Sequence, residues 1–541
     1  MLPILLSVFA IPTISIPFVY LAGRKNPKYA SFFVAIIALI NIGLVSSTVP
    51  AVLNNLNHRY VESYPWIPTL GNAAGNGTQF SLFTDGISVS VALISLVLIF
   101  VAALYSINYM AGKKNLSVYY ALLCMLSVGL VGVFLTSNML LFYFCWELML
   151  VPAYFIVGEW GYRNSYKSAL KFFIFTHAGA VFVLLGIGAI FYTTGTMDMF
   201  SAQTALAAVS PTIIKYVLIA LTAGFAVKMA VFPVHMWLPD AHSEAPAPMS
   251  ALLSGVIISA GAYAILRLSF GVVFPSVGAA FGTDFLYALS IIGVITAFFG
   301  SLLSLVANDI KRVIAYSSIA HMGYIMFGLS LFPIGLASGN TILLSSAIGI
   351  AIVGTILHIV THAVSKGLFF LTAGGVMHQT EERDIRKMGG LAGKMPFSAV
   401  SGTIAALSIA GAPPFACFIS EFLIFVGAFQ IMKVDSFYML PTALMLIATV
   451  FSLAYSLRFV SKVFLGQSKE EQGIDMAPPV STHDGGAQVP TAEEAGIGHK
   501  IFDVPNYMKL SLGILVVLVV LIGIYPAFFM NLIQSVSFGG A

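Results

Sequence analysis

Four charged side chains lie deep within long apolar stretches of the sequence. Glu147 lies in FCWELMLVPAYF, Lys228 in GFAVKMAVFPVHMW, Lys366 in THAVSKGLFF and Glu421 in FACFISEF. A charge inside a membrane helix costs at least about 2.5 to 3.5 kcal/mol, and it normally pairs with another charge or lines a wet path. These acids and bases therefore predict proton transfer within a membrane. The alternative is two buried ion pairs that only hold helices together, although such pairs add little net stability over apolar packing.

Histidines near these charges add groups that titrate close to neutral pH. His358, His362 and Lys366 follow one another at four-residue intervals, so they share one helical face with about 6 Å per step. With water between them, such a row forms a candidate proton wire. His321, in YSSIAHMGY, and also His177 and His235, are candidates to extend it. For any single one of these histidines, the alternative is a hydrogen-bonded core residue.

The elements that must position these groups are membrane helices. Of the 541 residues, 59% are hydrophobic and only 9% are charged, against roughly 25% charged in soluble domains. Apolar stretches of about 20 residues recur along the whole chain, and each is long enough to cross a bilayer. The pattern predicts an all-α integral membrane protein with fourteen helices, near 2–22, 29–51, 84–109, 116–136, 139–158, 166–195, 212–236, 248–272, 285–307, 311–333, 341–376, 396–430, 438–464 and 508–533.

The basic residues test this helix count independently. Loops that follow odd-numbered helices, with their flanks, hold 19 of the 25 Lys and Arg residues. The positive-inside rule then places these loops in the cytoplasm or its equivalent, with both termini outside. The expected location is a plasma, inner or thylakoid membrane. The first stretch has no basic residue before it, so we interpret it as an uncleaved span and not as a signal peptide.

A faint internal repeat divides the chain. The tripeptide Thr176-His-Ala in helix six recurs at Thr361 in helix eleven, and one helix later each copy meets proline, Pro233 and Pro413-Pro414. A five-helix offset inverts the second unit, as in secondary transporters whose broken helices hold a site near the midplane. A chance match is the alternative. The predicted units are a three-helix segment (1–111), a first repeat with a proton half-channel (112–272), an inverted second repeat (273–466), a flexible polar loop (467–505) and a C-terminal helix (506–541).

Several kinds of chemistry are excluded for this chain. It has no Gly-rich phosphate loop and no soluble domain long enough for a nucleotide, and its three cysteines lie singly in apolar runs. His358 and His362 lie on one helix with no second set of similar spacing, so haem and metal binding are not expected. We predict no cofactor, metal or nucleic acid in this chain. The energy for transport must come from a partner or an ion gradient.

Long stretches between about residues 84 and 465 resemble the antiporter-type subunits of respiratory complex I, with the subunit M type, also called chain 4, most similar. The stretches are FCWELMLVPAYFIVGEWG, KFFIFTHA, GFAVKMAVFPVHMWLPDAHSEAPAPMSALLSGVII, NDIKRVIAYSSIAHMGYIMFGL and RDIRKMGGLAGKMP. The resemblance implies fourteen helices, an inverted five-helix repeat and broken helices seven and twelve. It also implies antiporter-like neighbouring subunits, with FMN, iron–sulfur clusters and quinone held by partner subunits.

By this resemblance, five residues match members of the family's hydrated mid-membrane axis: Glu147, Lys228, His321, His362 and Glu421. Two positions depart from the pattern. Ser259 stands where the family's helix eight carries a lysine, and a serine can order water but cannot hold a proton. Lys366 stands where subunit M commonly has a neutral residue.

The function predicted from the sequence is a proton-translocating membrane subunit of a complex I-like oxidoreductase, which transfers electrons from NADH or a related donor to quinone. One alternative is a subunit of a multi-component Na⁺/H⁺ antiporter or a membrane-bound hydrogenase. Another, motivated by Ser259, is a structural subunit that does not pump. We also expect Glu147 and Lys228 to lie within about 4 Å of each other or to share one bridging water.

Overall fold

The computed structural model describes residues 3–54, 58–71, 77–331, 341–466 and 501–536. Within these ranges, thirteen helices are long and apolar enough to cross a membrane, and two shorter apolar helices form one further, broken crossing. The predicted all-α membrane fold is confirmed. Most of the predicted flexible loop, residues 467–500, lies outside the described residues.

The crossings are α1 (Ile4–Lys25), α2 (Pro27–Asn54), α3 (Gly86–Tyr109), α4 (Leu116–Leu135), α5 (Met139–Trp160), α6 (Ser165–Thr194), α7a (Pro211–Met229) with α7b (Leu238–Glu244), α8 (Ala247–Ser276), α9 (Ala279–Val306), α10 (Ile310–Ser330), α11 (Thr341–Thr380), α12a (Pro396–Ile409) with α12b (Ala416–Ile431), α13 (Ser436–Leu465) and α14 (Asn506–Ile524). Short helices Met199–Leu206 and Ala527–Gln534 lie outside this series.

An antiparallel hairpin, β1 (Tyr60–Gly71) and β2 (Gly77–Thr84), occupies the long segment between α2 and α3. The carboxylate of Glu62 on β1 accepts hydrogen bonds from the backbone N–H groups of Leu5 and Leu6, at 3.0 and 2.9 Å. These groups belong to the first turn of α1, where N–H donors lack helical partners and an anion is favourable. The hairpin therefore fixes the start of α1.

Segments that follow three of the odd-numbered helices meet at one end of the molecule. Asp240 contacts Lys171 at 2.8 Å and Arg312 at 2.9 Å, and Arg383 contacts Asp309 at 2.8 Å. These pairs join segments that follow α5, α9 and α11, together with α7b. We call this end the basic end. Which side of the membrane it faces stays a prediction.

Helices seven and twelve are both broken, as predicted. Helix α7a ends at Met229, the backbone turns through Ala230 with φ 59°, and α7b begins after Pro233. Helix α12a ends at Ile409, turns at Gly411 with φ 67°, and resumes after two prolines. Proline has no N–H to continue the helical ladder, so the chain resumes as a new helix.

Helix α8 is buried between the break of helix seven and α11. A side chain built at Gly261 would come within 2.8 Å of the backbone nitrogen of Met229, and one at Gly255 within 3.0 Å of the carbonyl oxygen of Ala363. Small residues permit such close helix approaches in membranes. The predicted repeat boundaries fall in the turn after α3 and near the end of α8, but the division into inverted repeats stays a prediction.

Candidate functional site

The first cluster of charged residues joins α5, α6 and α7a. Helix α5 is irregular at Met149, because Pro152 has no N–H for the carbonyl group one turn earlier. Next to this irregularity, Oε2 of Glu147 lies 2.9 Å from Nδ1 of His177. The imidazole stacks on Phe173, with ring centres 5.6 Å apart. The side chains of His177 and Glu147 are 50% and 24% exposed on the lateral surface of the protein.

Lys228 is buried beside Trp146 and forms no direct ion pair with Glu147. Its Nζ donates a hydrogen bond to the carbonyl oxygen of Trp146 at 3.0 Å and lies 3.9 Å from the centre of the indole ring. Among the described residues, no nitrogen–oxygen contact within 4.0 Å joins Glu147 and Lys228, so the predicted direct contact is wrong. The ammonium contacts Trp146 and Oε2 of the carboxylate contacts His177, whereas Oε1 of Glu147 has no partner among the described residues. The water-bridged form stays a prediction.

The second cluster joins α10, α11, α12b and α13. Nδ1 of His321 lies 3.1 Å from Nε2 of His358 and 3.8 Å from Oε1 of Glu421. On the other side of the same ring, Nε2 of His321 lies 3.3 Å from the hydroxyl group of Tyr455. His321 therefore links His358 to both Tyr455 and Glu421. A hydrogen bond between two imidazole nitrogens requires that one carries a proton and the other accepts it.

The row on α11 continues from this cluster toward the basic end. Nδ1 of His358 lies 2.9 Å from the hydroxyl of Ser420. One turn later, His362 lies with its ring centre 5.6 Å from that of His321, and both its nitrogens lack a partner among the described residues. Another turn later, Lys366 donates to the hydroxyl of Ser317 on α10. Buried imidazole nitrogens need hydrogen-bond partners. We therefore expect water to bind the two nitrogens of His362.

Ser259 lies on α8 between the two clusters. Its α8 neighbours Gly261 and Gly255 pack against Met229, next to Lys228, and against Ala363, next to His362. The side chain is buried, and its Oγ has no partner among the described residues. Helix α8 has π-helical turns on either side of it, at Leu253–Ile257 and Ile265–Val273, a feature often found at functional sites. The structure therefore places a neutral hydroxyl at the junction.

His235 lies in the break of helix seven, apart from both clusters. Its ring packs between Phe232 and Phe299, with ring centres 5.6 and 4.6 Å away. Its Nδ1 has no partner among the described residues. None of its described contacts reaches the second cluster, so its predicted part in proton transfer has no geometric support.

Other buried charged or titratable residues are missed by reasoning from the sequence, which assigns them to loops or helix ends. His242, Glu244 and Lys311 are buried near the basic end, and Asp85 and Arg267 are buried as a pair near the opposite end. The signal available for the first group is the segment DAHSEAP, most of which forms α7b directly after the break of helix seven.

The donor atoms of His321, His358 and Glu421 lie within 4.8 Å of one another. Two imidazoles and a carboxylate are ligands that suit Zn²⁺. However, the 3.1 Å contact between the two rings is already a normal hydrogen-bond length. We therefore interpret the two histidines as a hydrogen-bonded pair, with Glu421 beside them at 3.8 Å.

Comparison with known proteins identifies the family of this chain. The family described as NADH:quinone oxidoreductase/Mrp antiporter, transmembrane, matches residues 136–452. NADH-quinone oxidoreductase subunit M of Pseudomonas aeruginosa is 32% identical over 422 residues, 76% of each chain. The Escherichia coli K12 subunit M is 31% identical over 85% of this chain and 81% of its own. F(420)H(2) dehydrogenase subunit M of Methanosarcina mazei is 31% identical over 83% and 86%.

Solved structures share the fold. A chain of the archaeal membrane-bound sulfane sulfur reductase aligns with a TM-score of 0.76 and 25% identity, over 97% of this chain and 76% of that one. Chains of the Mrp complex from Dietzia sp. and of respiratory complex I from Thermus thermophilus each align with a TM-score of 0.77 and 20% identity. They cover 99% and 98% of this chain, respectively, and each alignment spans 97% of the solved chain. At 20% identity these two likenesses show the fold alone.

Proposed function

The chain belongs to the NADH:quinone oxidoreductase/Mrp antiporter membrane family, and from this premise we propose that it moves protons as a membrane subunit of a complex I-like oxidoreductase. Its relatives are named as subunits of quinone-reducing and F(420)H(2)-oxidising enzymes. FMN, iron–sulfur clusters and quinone belong to partner subunits in this proposal. The electron donor is set by those partners.

The observation that carries the proposal is the second cluster. His358, His321 and Glu421 join three helices through contacts of 3.1 and 3.8 Å in the interior of the protein. A proton that arrives on one imidazole nitrogen of His358 can pass to His321 along their hydrogen bond. From there it can pass to the hydroxyl of Tyr455 at 3.3 Å, or to Glu421 once the 3.8 Å separation from His321 closes to hydrogen-bond distance. Such a chain of hydrogen bonds transfers a proton while the heavier atoms stay in place.

The exposure of the first cluster supports contact with a partner subunit within the membrane. His177 is half exposed, and Glu147 is partly exposed beside it. A hydrocarbon surface would leave this pair poorly solvated. We propose that a neighbouring membrane subunit covers this face of α5 and α6, in a plasma or inner membrane with both termini of this chain outside.

The test uses membrane vesicles that contain the whole complex. NADH oxidation and proton uptake, followed by quenching of a pH-sensitive dye, are measured for Glu147→Gln and Glu421→Gln. Each change removes a proton-binding group, so proton uptake per electron should fall while the complex remains assembled. Glu159→Gln is the matched control, because Glu159 is an exposed glutamate on α5 and should leave uptake unchanged.

The alternative functions give different outcomes in the same vesicles. A Na⁺/H⁺ antiporter subunit predicts sodium-dependent proton exchange without any electron donor. A subunit of a membrane-bound hydrogenase predicts proton uptake driven by that enzyme's own donor and not by NADH. A structural subunit predicts that both glutamate variants assemble and pump normally, which would refute the proposal.

A further inference from the structure

A buried histidine outside both clusters has no assigned role. His242 on α7b is fully buried, and neither ring nitrogen has a partner among the described residues. Its ring stacks on Phe370 of α11, with centres 4.8 Å apart and planes at 15°. An apolar ring would fill this place without the cost of burying unpaired polar atoms. The imidazole therefore needs a reason beyond packing.

Lys311 lies beside the turn that carries His242. It is the second residue of α10 and is fully buried. Its Nζ donates to the carbonyl oxygen of Ala245 and to the hydroxyl of Ser250, the latter at 2.9 Å. The same hydroxyl donates to the carbonyl oxygen of His242 at 2.9 Å. Ser250 thus connects Lys311 to the backbone of His242.

The helix that carries His242 also lines a cavity at the basic end of the protein, through Asp240 and Glu244. The cavity has a volume of about 230 Å³, enough for several waters. Glu244 lines it and is otherwise mostly buried, with Oε2 accepting from the backbone N–H of Asn164 at 3.2 Å and Oε1 lying 3.6 Å from Arg383. The other lining residues are Asn164, Lys167, Ser168, Lys171, Asp240 and Arg312. Glu244 is separated from His242 by a single residue, so the cavity reaches the helix that carries His242, α7b.

On its inner side, His242 faces the row on α11. Phe370, on which it stacks, follows Lys366 by four residues and His362 by eight. Residues at these intervals share one helical face. The ring of His242 is therefore next to the charged row that leads to His358 and Glu421.

We infer that Lys311 and His242 form an uptake route that carries protons from the cavity at the basic end to Lys366 and His362. The inference rests on the proposed function. The Lys311 ammonium gives one proton, through water, to a nitrogen of neutral His242, and the imidazolium then gives one proton to His362 or neutral Lys366. Every group returns to its starting charge after the next uptake. The route supplies the second cluster without passing Ser259, which cannot hold a proton.

The experiment compares His242→Gln, Lys311→Gln and the double variant in NADH-energised vesicles that contain the complete complex. Glutamine keeps polar atoms at each position but binds no proton. Proton uptake per electron should show the same loss in each single variant, with assembly and electron transfer to ferricyanide retained. Because both residues serve one route, the double variant should be no worse than either. His378→Gln is the matched control, since His378 is exposed near the end of α11 and contacts the ring of Tyr109 at a tilt of 39°.

Normal uptake in an assembled His242→Gln complex would overturn the route, as would losses that multiply in the double variant. If His242→Gln fails to assemble, Lys311→Gln decides the question, together with His242→Lys, which retains a proton-binding group and should keep uptake. If Glu147→Gln and Glu421→Gln abolish uptake while His242→Gln does not, only the route fails. If none of these variants changes uptake, the proposed function itself fails.

Discussion

Glu147 pairs with His177 on the neighbouring helix, through a 2.9 Å contact between Oε2 and Nδ1, while Lys228 binds the carbonyl oxygen of Trp146. The acid and the lysine thus each have their own partner. A proton can move between them only when water or a side-chain rotation joins the two. The pair of Glu147 and His177 also lies at the lateral surface, where its charge would interact with a neighbouring subunit.

Replacing His177 by alanine should impair proton uptake without unfolding the protein. The carboxylate of Glu147 would lose a charge-assisted hydrogen bond, worth about 1.5 to 3 kcal/mol, so uptake should fall roughly tenfold or more. His177→Gln keeps a donor near Glu147 and should restore most of the rate. Equal activity of the alanine and glutamine variants would show that the contact has no part in transport.

Replacing Lys228 by methionine should abolish uptake while the complex still assembles. The site is buried and faces an indole ring at 3.9 Å, and methionine packs well against aromatic rings. The loss of the proton-binding group should lower uptake roughly a hundredfold. Lys215→Met, on the same helix but partly exposed, is the control and should pump normally.

Replacing Gly411 by alanine should displace the Glu421 carboxylate. A side chain at Gly411 would come within 2.5 Å of Oε2 of Glu421. The glutamate side chain must move, because it is more flexible than the backbone at Gly411. A displacement of about 1 Å lowers rates by as much as roughly a hundredfold. Uptake per electron is the measurement.

The control for this variant is Gly278→Ala. Gly278 also has a positive φ, of 83°, but an added side chain there meets nothing within 4 Å. The two variants share the backbone cost of alanine in this conformation, so only contact with Glu421 distinguishes them. Similar uptake in both would contradict the predicted displacement.

The membrane fold is predictable from the sequence, whereas the partners of the charged groups are not. Hydropathy locates the crossings because each must exclude polar residues over its whole length, and Pro233, Pro413 and Pro414 mark the two breaks. Spacing also shows that His358, His362 and Lys366 share a face. It does not show which neighbouring helix that face meets, and for the same reason the predicted direct contact between Glu147 and Lys228 is wrong.

The burial of residues near helix ends also cannot be predicted from the sequence. Lys311 follows a loop and counts among the loop charges by position, yet it is buried because α7b folds back over the start of α10. The same fold-back buries His242. Such burial depends on how a broken helix packs, and the segment DAHSEAP marks the polar residues there without showing that they are buried.

The buried pair of Arg267 and Asp85 should matter for stability and not for transport. Arg267 donates to Asp85, and its Nε donates to the hydroxyl of Tyr263 at 3.2 Å. Asp85 also accepts from the backbone N–H groups of Ile87 and Ser88 at the start of α3. The pair therefore ties the end of α8 to the N-terminus of α3.

Removing one member would leave the other charge buried and unpaired. Arg267→Met should destabilise the complex by about 3 to 5 kcal/mol, measured as a lower thermal midpoint for loss of assembly. The double variant Arg267→Met/Asp85→Asn should recover part of the loss, because asparagine is neutral and still caps α3. Arg386→Met is the control: Arg386 pairs with Asp384 at 2.7 Å but is 63% exposed, and such pairs contribute about 0 to 1 kcal/mol. Equal midpoints for the two single arginine variants would contradict a stabilising role for the buried pair.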